Sequence, residues 1–567
     1  MFFLLHVGSS CLVFFKEKFV VRYGPELVLG WTLDVNENYK GKKIVRCEAG
    51  PEWLAIQLSQ NGDWLWFSWD SQCCGMSLAD KREMDTLKEL KDKTHPIFGA
   101  VKSHIVGGFL VNAFQINRDR VVAFEFSRPL GAGVDVSRFL IFEATGRQAN
   151  LLLLDDKQRI IEVTKHVHPE INRYRSLLPG LFYSPPPPFE GPDVDSFTMN
   201  DMAKLTRYKG IGRPLAELLV KKWETQNFDF EFHLKRLYSS SLQDLVCQEI
   251  GDYLTIFPTL ISVDAKTYNS PLKASKKLLL EYFDQERKKM LDQICKSIDV
   301  ERRRITDKIR GLSDLLSKVE EAEKWNHYGT LLISYAHEVK EGASSVCLRS
   351  WDEHYGKVKI DLDPSLSAID NAKRYFKLAK KYQRSKETLL KELDKLKGAL
   401  IELDEYREFI SLLTDVSDVK KIYDDFYREN EAANARKKGK YVPPCRRIDL
   451  KDGFIVYVGL NAKANRYVTF QVAAPEDLWF HAKDVPGSHV ILKLSGKPAN
   501  DKLIEFAASV AVYYSKAHEA SYHVVDYTQR KHVKALPKAG PGHVTYSEFS
   551  SIRVSPSLWI ELLEELQ

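Results

Sequence analysis

The stretch that decides the fold is IDVERRRITDKIRGLSDLLSKV, residues 298–319. Its apolar side chains recur every seven residues, at Ile298, Ile305, Leu312 and Val319. Residues 369–410 hold a second run with the same spacing, at Tyr375, Tyr382, Leu389, Leu396 and Leu403. Because a seven-residue repeat keeps one apolar seam along a helix, each run predicts a long helix in a coiled coil.

The two helical runs lie in one chain and are separated by about 45 residues. We expect coiled-coil arms over residues 269–325 and 366–435, with a small tip over residues 326–365. The tip contains β-like pieces at Leu331–Tyr335 and Val358–Leu362. The similar arm lengths favour one antiparallel hairpin, and parallel pairing of each arm in a dimer is the alternative.

On the N-terminal side of the arms, residues 1–190 predict an α+β domain. Its strand-like runs are Trp53–Leu58, Trp64–Trp69, Val121–Phe126, Phe139–Phe142 and Leu151–Leu154. We expect a helix over Lys102–Phe114. The prolines Pro185–Pro188 end the domain, because proline continues neither a helix nor a central strand.

Residues 191–268 predict a mainly helical segment with a tight turn at Gly210 and Gly212. Glycines at this spacing allow the turn, and Pro214 suits the first turn of the helix that follows. This is the pattern of a helix-hairpin-helix, in which the amides of Gly210 and Gly212 can hold a phosphate. An ordinary helical hairpin that uses glycine only to turn is an equally good interpretation.

On the C-terminal side of the arms, residues 436–567 predict a basic linker, Arg436–Lys440, and a last α+β domain. The linker can touch RNA phosphates without specificity. We expect a helix over Asp501–Ser515 and strands at Phe454–Val458, Tyr467–Gln471 and Tyr522–Tyr527.

An aromatic and basic loop in this last domain carries the most chemistry. Its members are Trp479, Phe480, His481, Lys483, Ser488 and His489. Rings interleaved with Lys and His suit base stacking and phosphate contact. The alternative is that Trp479 and Phe480 are core residues and the histidines cap a turn. A hydrolase triad of Asp484, Ser488 and His489 is disfavoured, because no G-x-S-x-G elbow is present.

Composition argues against several other classes of protein. The 567-residue chain has 83 Lys and Arg against 77 Asp and Glu, so a nucleic-acid site must be a local patch. None of its 8 cysteines forms a C-x-x-C pair, so we expect no metal site, and we expect no other cofactor. Scattered unpaired cysteines are typical of a protein in the reducing cytosol. The apolar start Met1–Phe15 lacks the basic flank of a signal peptide, and no later run reaches the ~18 apolar residues of a membrane span. We therefore expect a cytoplasmic protein with no membrane partner, whose start is a buried strand or follows from a wrongly chosen start codon.

Several motifs in order along the chain resemble the NFACT family. The most characteristic is DLWFHAKDVPGSHV, residues 477–490. The others are Val458–Asn465, Tyr514–Ala517, Val525–Thr528, Lys531–Lys534, Leu362–Pro364 with Asn371–Phe376, and Arg173–Arg175 with Leu178–Gly180 and Tyr183–Pro185. The resemblance implies a multidomain α+β protein. Its parts are an NFACT-N domain (1–190), a helix-hairpin-helix domain (191–268), a long antiparallel coiled coil with a small tip (269–435), and a basic linker with an NFACT-R domain (436–567).

The resemblance also implies a function. NFACT proteins of this kind bind the large ribosomal subunit, and hence rRNA, when a stalled nascent chain is still attached to tRNA. They recruit a further tRNA, alanyl in bacteria, and promote template-free extension of the nascent chain. The ribosome makes the peptide bonds, so the resemblance implies an adaptor without catalytic residues that acts as a monomer on the ribosome.

Candidate site residues follow from the resemblance position by position. Asp119 and Arg120 match the Asp-Arg pair that the NFACT-N domain uses for tRNA, and arginine can hold a phosphate or a guanine bidentately. A surface ion pair is the alternative. The further tRNA candidates are Arg147, Asn150 and Arg173. The RNA or ribosome candidates are Trp479, His481, Lys483, Ser488, His489, Lys531 and Lys534.

The sequence departs from the family in the loop before the 477–490 motif. The family's Gly-Arg-Asn reads Gly459-Leu460-Asn461 here, and its later Asn-Asp reads Asn465-Arg466. Contacts of that missing Arg and Asp are therefore not carried over. Arg466 can substitute for the missing positive charge.

Two other functions are weighed against this one. A surface adhesin, the older label of the family, would need export, and the sequence predicts no signal or anchor. A DNA glycosylase of the formamidopyrimidine type also combines an α+β domain with a helix-hairpin-helix. Such an enzyme needs an N-terminal proline nucleophile and an adjacent glutamate, whereas residues 2 and 3 are both phenylalanine.

Overall fold

The computed structural model describes residues 22–60, 62–129, 135–170, 172–223, 229–320, 323–351, 356–432, 442–536 and 542–567. The chain divides into two compact units, one ending at Glu286 and the other running from Arg287 to Gln567. The apolar start Met1–Phe15 and the basic linker Arg436–Lys440 lie outside the described residues.

Two antiparallel sheets form the main core of the first unit. The four-stranded sheet contains, in order, Ile44–Ala49, Trp53–Leu58, Trp64–Ser68 and Gly75–Ala79. The five-stranded sheet contains, in order, Ile160–Val163, Asn150–Leu154, Asp135–Glu143, Val121–Pro129 and Phe109–Gln115. The Phe67 ring meets the rings of Phe124 and Phe142 edge-on, with centroids 5.3 and 5.6 Å apart. The strands predicted in this region are confirmed.

Three helices complete this core. Helix α1 (Pro25–Asn38) follows the extended Gly24, has proline in its first turn and buries Trp31. Helix α2 (Lys81–Leu90) begins with a capping box between Asp80 and Glu83. Helix α3 is Ile97–His104.

The helix predicted over Lys102–Phe114 is wrong. Helix α3 ends at His104, and Phe109–Gln115 is a strand paired with Val121–Pro129. Gly107 adopts φ +90°, a left-handed conformation that ends a helix. The apolar residues after Gly107 therefore form a strand and do not continue the helix.

The helix-hairpin-helix segment is built against a third sheet. In order, its strands are Arg22–Tyr23, Tyr253–Phe257, Val246–Ile250 and Lys266–Tyr268. The hairpin consists of the 3-10 helix Met199–Arg207 and helix α4 (Arg213–Trp223), followed by α5 (Phe230–Arg236) and α6 (Pro271–Ala274). The mainly helical prediction is wrong for residues 246–257, which form a β-hairpin because Gly251, at φ +62°, allows a tight turn.

Two long helices, most of whose residues belong to the second unit, confirm the predicted antiparallel coiled coil. Helix α7 (Lys276–Glu320) has 45 residues, α8 (Glu323–Ser334) follows in the tip, and α9 (Ala368–Ser411) has 44 residues. Ion pairs join Asp299 to Arg407 and Arg302 to Asp404. Because the first number of each pair rises as the second falls, the two helices run in opposite directions. The heptad residues Ile298 and Ile305 are buried.

The tip packs on the start of α9. Its strands are Ser345–Arg349 and Lys357–Asp361, so the strand predicted near residue 358 is confirmed. The strand predicted at Leu331–Tyr335 is wrong, because these residues lie in and just after α8. Trp325 and Tyr328 of α8 contact Tyr382 and Tyr375 of α9, with ring centroids 4.6 and 5.7 Å apart. Residues three positions apart lie on the same face of a helix, so both rings can reach α9 only if this segment is helical.

The last domain is an antiparallel sheet flanked by helices. After α10 (Val416–Ala432), its six strands are, in sheet order, Cys445–Asp449, Ile455–Gly459, Val490–Lys493, Leu478–Ala482, His523–Gln529 and Ser550–Val554. Its helices are α11 (Ala462–Tyr467), α12 (Asp501–Tyr513) and α13 (Leu558–Leu566), and Val533–Ala535 pairs with Val544–Tyr546. The helix predicted at 501–515 and the strands predicted at 454–458 and 522–527 are confirmed.

The strand predicted at Tyr467–Gln471 is wrong. Helix α11 continues there into a single π-helical turn, Val468–Val472. The side chain of Asn461 caps α11 by accepting a hydrogen bond from the amide of Ala464 at 2.7 Å. This cap starts a helix before the β-branched residues that suggested a strand.

Candidate nucleic-acid interfaces

The first unit contains a cleft of about 500 Å³ beside the helix-hairpin-helix turn. Its wall combines Asp119 and Arg120 with the turn residues Gly210 and Gly212, which lie about 90 residues further along the sequence. The cationic side chains Arg22, Arg118, Lys209 and Arg213 also line it. The structure thus brings together two features that the sequence predicted separately.

Arg120 stands out in this cleft because no carboxylate of the described residues forms an ion pair with it. It follows the turn between two strands of the five-stranded sheet, and its amide donates to the carboxylate of Asp119 at 2.7 Å. Its half-buried guanidinium has no ion pair and no side-chain hydrogen bond within the described part of the chain. Arg118, two residues earlier, instead pairs with Asp193 at 3.3 Å and Asp195 at 2.5 Å. An unpaired, half-buried guanidinium suits an anionic ligand.

The glycine turn is held by a buried carboxylate of α1. The amide of Gly212 donates to Glu26 at 2.8 Å, and the hydroxyl of Tyr253 donates to the other oxygen of Glu26 at 2.5 Å. Burial raises the pKa of Glu26. This internal hydrogen bond replaces the phosphate contact predicted for the Gly212 amide. Gly210 provides the turn at φ +90°, and its phosphate contact stays a prediction.

Glu26 was missed by sequence reasoning, although a signal existed: it is an acidic residue in the apolar first turn of α1. It also completes a Pro25-Glu26 pair at the cleft, which Pro25 lines. This arrangement resembles the proline and glutamate required of a formamidopyrimidine-type glycosylase. The nitrogen of Pro25 is nevertheless an amide joined to Gly24, so it has no basic lone pair for nucleophilic attack.

The other tRNA candidates lie outside the cleft wall. Arg147 is exposed in the 3-10 turn Gly146–Gln148, and only its neighbour Gly146 lines the cleft. Arg173 is also exposed. Asn150 is 2% exposed and bonds to Thr164 and Lys165 at 2.7–2.9 Å, so it fixes a strand end. For Asn150, the structure replaces the predicted tRNA contact by an internal one.

In the second unit, the 477–490 motif forms an inner strand of the sheet and the loop after it. Trp479 and Phe480 are fully buried. The Trp479 ring stacks on His481, with centroids 5.8 Å apart, and the Phe480 ring stacks on Tyr527 at 5.4 Å. The core interpretation of Trp479 and Phe480 is therefore the correct one, and base stacking by Trp479 would require the sheet to open.

Ser488 and His489 are internal as well. The hydroxyl of Ser488 donates to the carbonyl of Gly459 at 2.6 Å, and Nδ1 of His489 lies 2.9 Å from the hydroxyl of Thr469. Burial lowers the pKa of His489 well below its ordinary value and that of His481 to about 4, so both rings are neutral at pH 7. The structure therefore places Ser488 and His489 in internal hydrogen bonds instead of the RNA contacts predicted for them.

The lysines of the motif region present charge at the surface. Lys483 is half-buried, 4.0 Å from the carboxylate of Asp526. Lys531 is exposed and pairs with Glu476 at 3.1 Å. Lys534 is exposed and has no ion pair within the described residues. These three remain candidates for contact with RNA phosphates, together with the half-buried His481.

Two kinds of feature are absent from the described ranges. No group of three or more His, Cys, Asp or Glu side chains there is arranged to hold a metal ion. No helix there has both the length and the apolar character needed to cross a membrane.

Comparison with known families matches most of the chain. The model of the NFACT N-terminal and middle domains matches residues 36–441, and that of the NFACT protein RNA binding domain matches residues 446–547. The chain is 28% identical over 495 residues to "Rqc2 homolog RqcH" of Bacillus subtilis (strain 168), covering 80% of this chain and 84% of that protein. It is 28% identical over 490 residues to the protein of the same name from Streptococcus suis (strain 05ZYH33), covering 81% and 84%.

Similarity to solved structures is lower. The C-terminal part of the fibronectin/fibrinogen-binding protein from Streptococcus suis matches at 24% identity and a TM-score of 0.30, covering 50% of this chain and 99% of that chain. The N-terminal part of the same protein matches at 18% identity and a TM-score of 0.36, covering 46% and 99%. Similarity at this level carries no argument about a ligand.

Proposed function

The chain belongs to the NFACT family, and on this premise we propose that it is a ribosome-associated quality-control factor. In this role it binds the large ribosomal subunit that carries a stalled nascent chain on tRNA. It then recruits tRNA, alanyl-tRNA first of all, for template-free extension of the nascent chain. The relatives named Rqc2 homolog RqcH support this assignment.

The observation that carries the proposal is the unpaired guanidinium of Arg120 beside Asp119 in the cleft of the first unit. A half-buried arginine that has no carboxylate partner among the described residues favours an anion, and a phosphate of a nucleic-acid backbone is such an anion. Asp119 adds an acceptor that can read a base amine or orient the arginine. Together these groups suit a folded RNA better than a neutral ligand.

The proposal assigns no catalytic residue to the chain. Peptide bonds would form at the ribosomal RNA, so the protein needs only to position tRNA and remain bound to the subunit. We propose that it acts in the cytoplasm as a monomer, with rRNA, tRNA and the nascent chain-tRNA as its partners. Lys483, Lys531 and Lys534 are the candidate cations of the RNA-binding domain.

The test is sequencing of the RNA that copurifies with the tagged full chain. We expect large-subunit rRNA and one enriched tRNA species, and we expect Asp119→Ala with Arg120→Ala to lose the tRNA while keeping the rRNA. The control is Asp156→Ala with Arg138→Ala, which removes an ion pair at 3.9 Å elsewhere in the same unit. Unchanged tRNA recovery with the first pair would refute the assignment of Asp119 and Arg120.

A surface adhesin is the competing function. Its support is limited to the names of distantly similar proteins. Detection of the protein by protease treatment of intact cells would revive it. A glycosylase function would need Pro25 as a free amine, and cleavage of lesion-bearing duplex by the pure chain would be its evidence.

A further inference from the structure

Two arginine side chains lie over the same aromatic ring on the surface of the last domain. The guanidinium carbon of Arg530 lies 5.1 Å from the centroid of the Phe470 ring, and that of Arg466 lies 5.9 Å from it. We call Arg466, Phe470 and Arg530 the Phe470 platform. The three residues come from α11, the π-helical turn after it and the 3-10 turn Arg530–His532.

The fold holds the platform in place from beneath. Phe470 packs against a buried cluster that contains Val468, Trp479 and Ile491. The amide of Arg530 donates to the carbonyl of Asp477 at 2.8 Å, and its Nε donates to the carbonyl of Thr469 at 3.0 Å. The terminal nitrogens of Arg530 remain available, because neither bond uses them.

The platform's charge is not neutralised. Neither Arg466 nor Arg530 has a carboxylate within 4.0 Å in the part of the chain that the structure describes, whereas Arg302, Arg407 and Arg446 of the same unit are each paired with an aspartate. The neighbouring hairpin adds the exposed Lys534, and its Gly542 approaches α11 so closely that an added Cβ would lie 3.2 Å from the carbonyl of Ala462. The result is a compact cationic surface with an aromatic centre.

We propose that the Phe470 platform is an RNA contact surface of this domain, one that holds backbone phosphates and stacks bases. It rests on the proposed RNA role and names the surface that performs it. A stacked guanidinium keeps its N–H donors at its edge, where they can bind phosphate oxygens bidentately, and a base can stack on a guanidinium plane. An acidic peptide would satisfy the charge but would gain nothing from the stacking geometry.

The test uses the full chain and a labelled poly(U) oligonucleotide, with binding followed by fluorescence anisotropy at several salt concentrations. Loss of two phosphate contacts lowers the slope of log affinity against log salt by about 1.4, since each contact to a single strand contributes about 0.7. We expect Arg466→Ala with Arg530→Ala to show this smaller slope and a Kd raised at least ~10-fold at low salt.

The matched control is Arg447→Ala with Arg553→Ala. These exposed arginines lie over Tyr457 and Tyr522, at 6.0 and 5.5 Å, on the two edge strands of the same sheet. The control also removes two arginines that lie over rings, of which Arg447 is paired with Asp449, so its slope should stay near that of the original protein. Equal losses in both double variants, or no loss in the first, would overturn the proposal.

Folding is separated from binding by the single variant Arg466→Ala. Its side chain is exposed and makes no hydrogen bond within the described residues, so the variant should keep the original melting temperature. It should still lower the salt slope by about 0.7. An unchanged slope in this variant would overturn the platform even if the double variant unfolds.

Two further measurements distinguish RNA from an acidic protein partner and test the ribosomal role separately. Poly-glutamate peptide should compete weakly, and equal affinity for it with the same dependence on the two arginines would replace RNA by an acidic protein partner. Sedimentation with isolated large subunits tests the ribosomal role separately. A chain that needs the platform for poly(U) but never sediments with subunits would keep this inference and refute the ribosomal proposal.

Discussion

Arg118 and Arg120 lie in one turn and differ in what surrounds them. Arg118 is held by Asp193 and Asp195 and lies 4.4 Å from the centroid of the Tyr238 ring, so it serves the structure. Arg120 has no such partner and lines the cleft. An arginine that is already paired with carboxylates attracts an anionic ligand only weakly. The difference in pairing therefore makes Arg120 the binding candidate and Arg118 a structural residue.

The Gly212 position should tolerate no side chain. An added Cβ would lie 2.2 Å from the hydroxyl oxygen of Tyr253 and 2.9 Å from the Cα of Gly24. We expect Gly212→Ala to lower the free energy of unfolding of the first unit by about 1–3 kcal/mol, the usual effect of overpacking. Urea denaturation followed by tryptophan fluorescence measures it.

The control for this substitution is Gly99→Ala in α3. No atom lies within 4 Å of the Cβ that it would add, and alanine favours a helix over glycine by about 0.5–1 kcal/mol. It should therefore be neutral or stabilising. If both variants unfold at the same urea concentration, the close packing around Gly212 is contradicted.

The half-buried His481 and the buried His489 predict how the second unit responds to acid. Folding lowers the pKa of His481 to about 4 and that of His489 well below its ordinary value, whereas both bind a proton near pH 6.5 when unfolded. The unfolded state therefore binds more protons in this window. The stability that depends on these two neutral histidines is fully present above about pH 6.5 and is lost as the pH falls towards 4.

Melting temperatures measured at several pH values test this dependence. We expect His481→Gln with His489→Gln to flatten the decline between about pH 6.5 and 4, because the replaced rings no longer need to stay neutral. His337→Gln is the control, since the His337 side chain is 76% exposed. A decline of the same steepness in the double variant would show that other groups cause it.

At the scale of elements, Arg446 joins the end of the coiled-coil region to the last sheet. One terminal nitrogen of Arg446 lies 2.7 Å from the carboxylate of Asp415, 2.9 Å from that of Asp418 and 2.6 Å from the hydroxyl of Tyr514. The side chain of Asp418 is fully buried. Lys421 also lies 3.5 Å from this carboxylate, so Arg446, at 2.9 Å, provides the nearer of its two positive charges.

We expect Arg446→Met to destabilise the second unit by about 3 kcal/mol, because it leaves the buried Asp418 carboxylate with only the more distant Lys421 as a cation. Thermal unfolding followed by circular dichroism measures the loss. Arg447→Ala, which removes a half-exposed neighbour paired with Asp449, should change stability by less than about 1 kcal/mol. Similar effects of the two substitutions would contradict the special role of Arg446.

At the scale of the whole molecule, charge is distributed in patches. The chain carries a net charge of only +6, yet the cleft and the Phe470 platform each expose unpaired arginine. A weakly charged body with local cationic sites limits non-specific attraction and leaves recognition to those sites. This distribution is compatible with the proposed RNA-binding role.

We expect calorimetry of the full chain to resolve two unfolding transitions. Each compact unit has its own sheets and buried clusters, so each has the means to unfold cooperatively. Gly212→Ala should lower the temperature of one transition and Arg446→Met that of the other. A single transition that both substitutions shift equally would contradict independent units.

The sequence by itself determined the features that depend on local periodicity and on motif order. The heptads of residues 298–319 predict α7 because the seven-residue spacing describes one helix face, whatever lies around it. Alternation predicts strands such as Trp53–Leu58 in the same way. The 477–490 motif indicated the family, since motif identity needs no knowledge of contacts.

Only the tertiary structure decided which side chains reach a ligand. The amide of Gly212 is bonded to Glu26, 186 residues earlier, and Trp479 is covered by Tyr546, 67 residues later. Likewise, the charge of Arg120 is free and that of Arg118 is paired because of where Asp193 and Asp195 fold. Burial and pairing depend on contacts between distant segments, and no local pattern encodes those contacts.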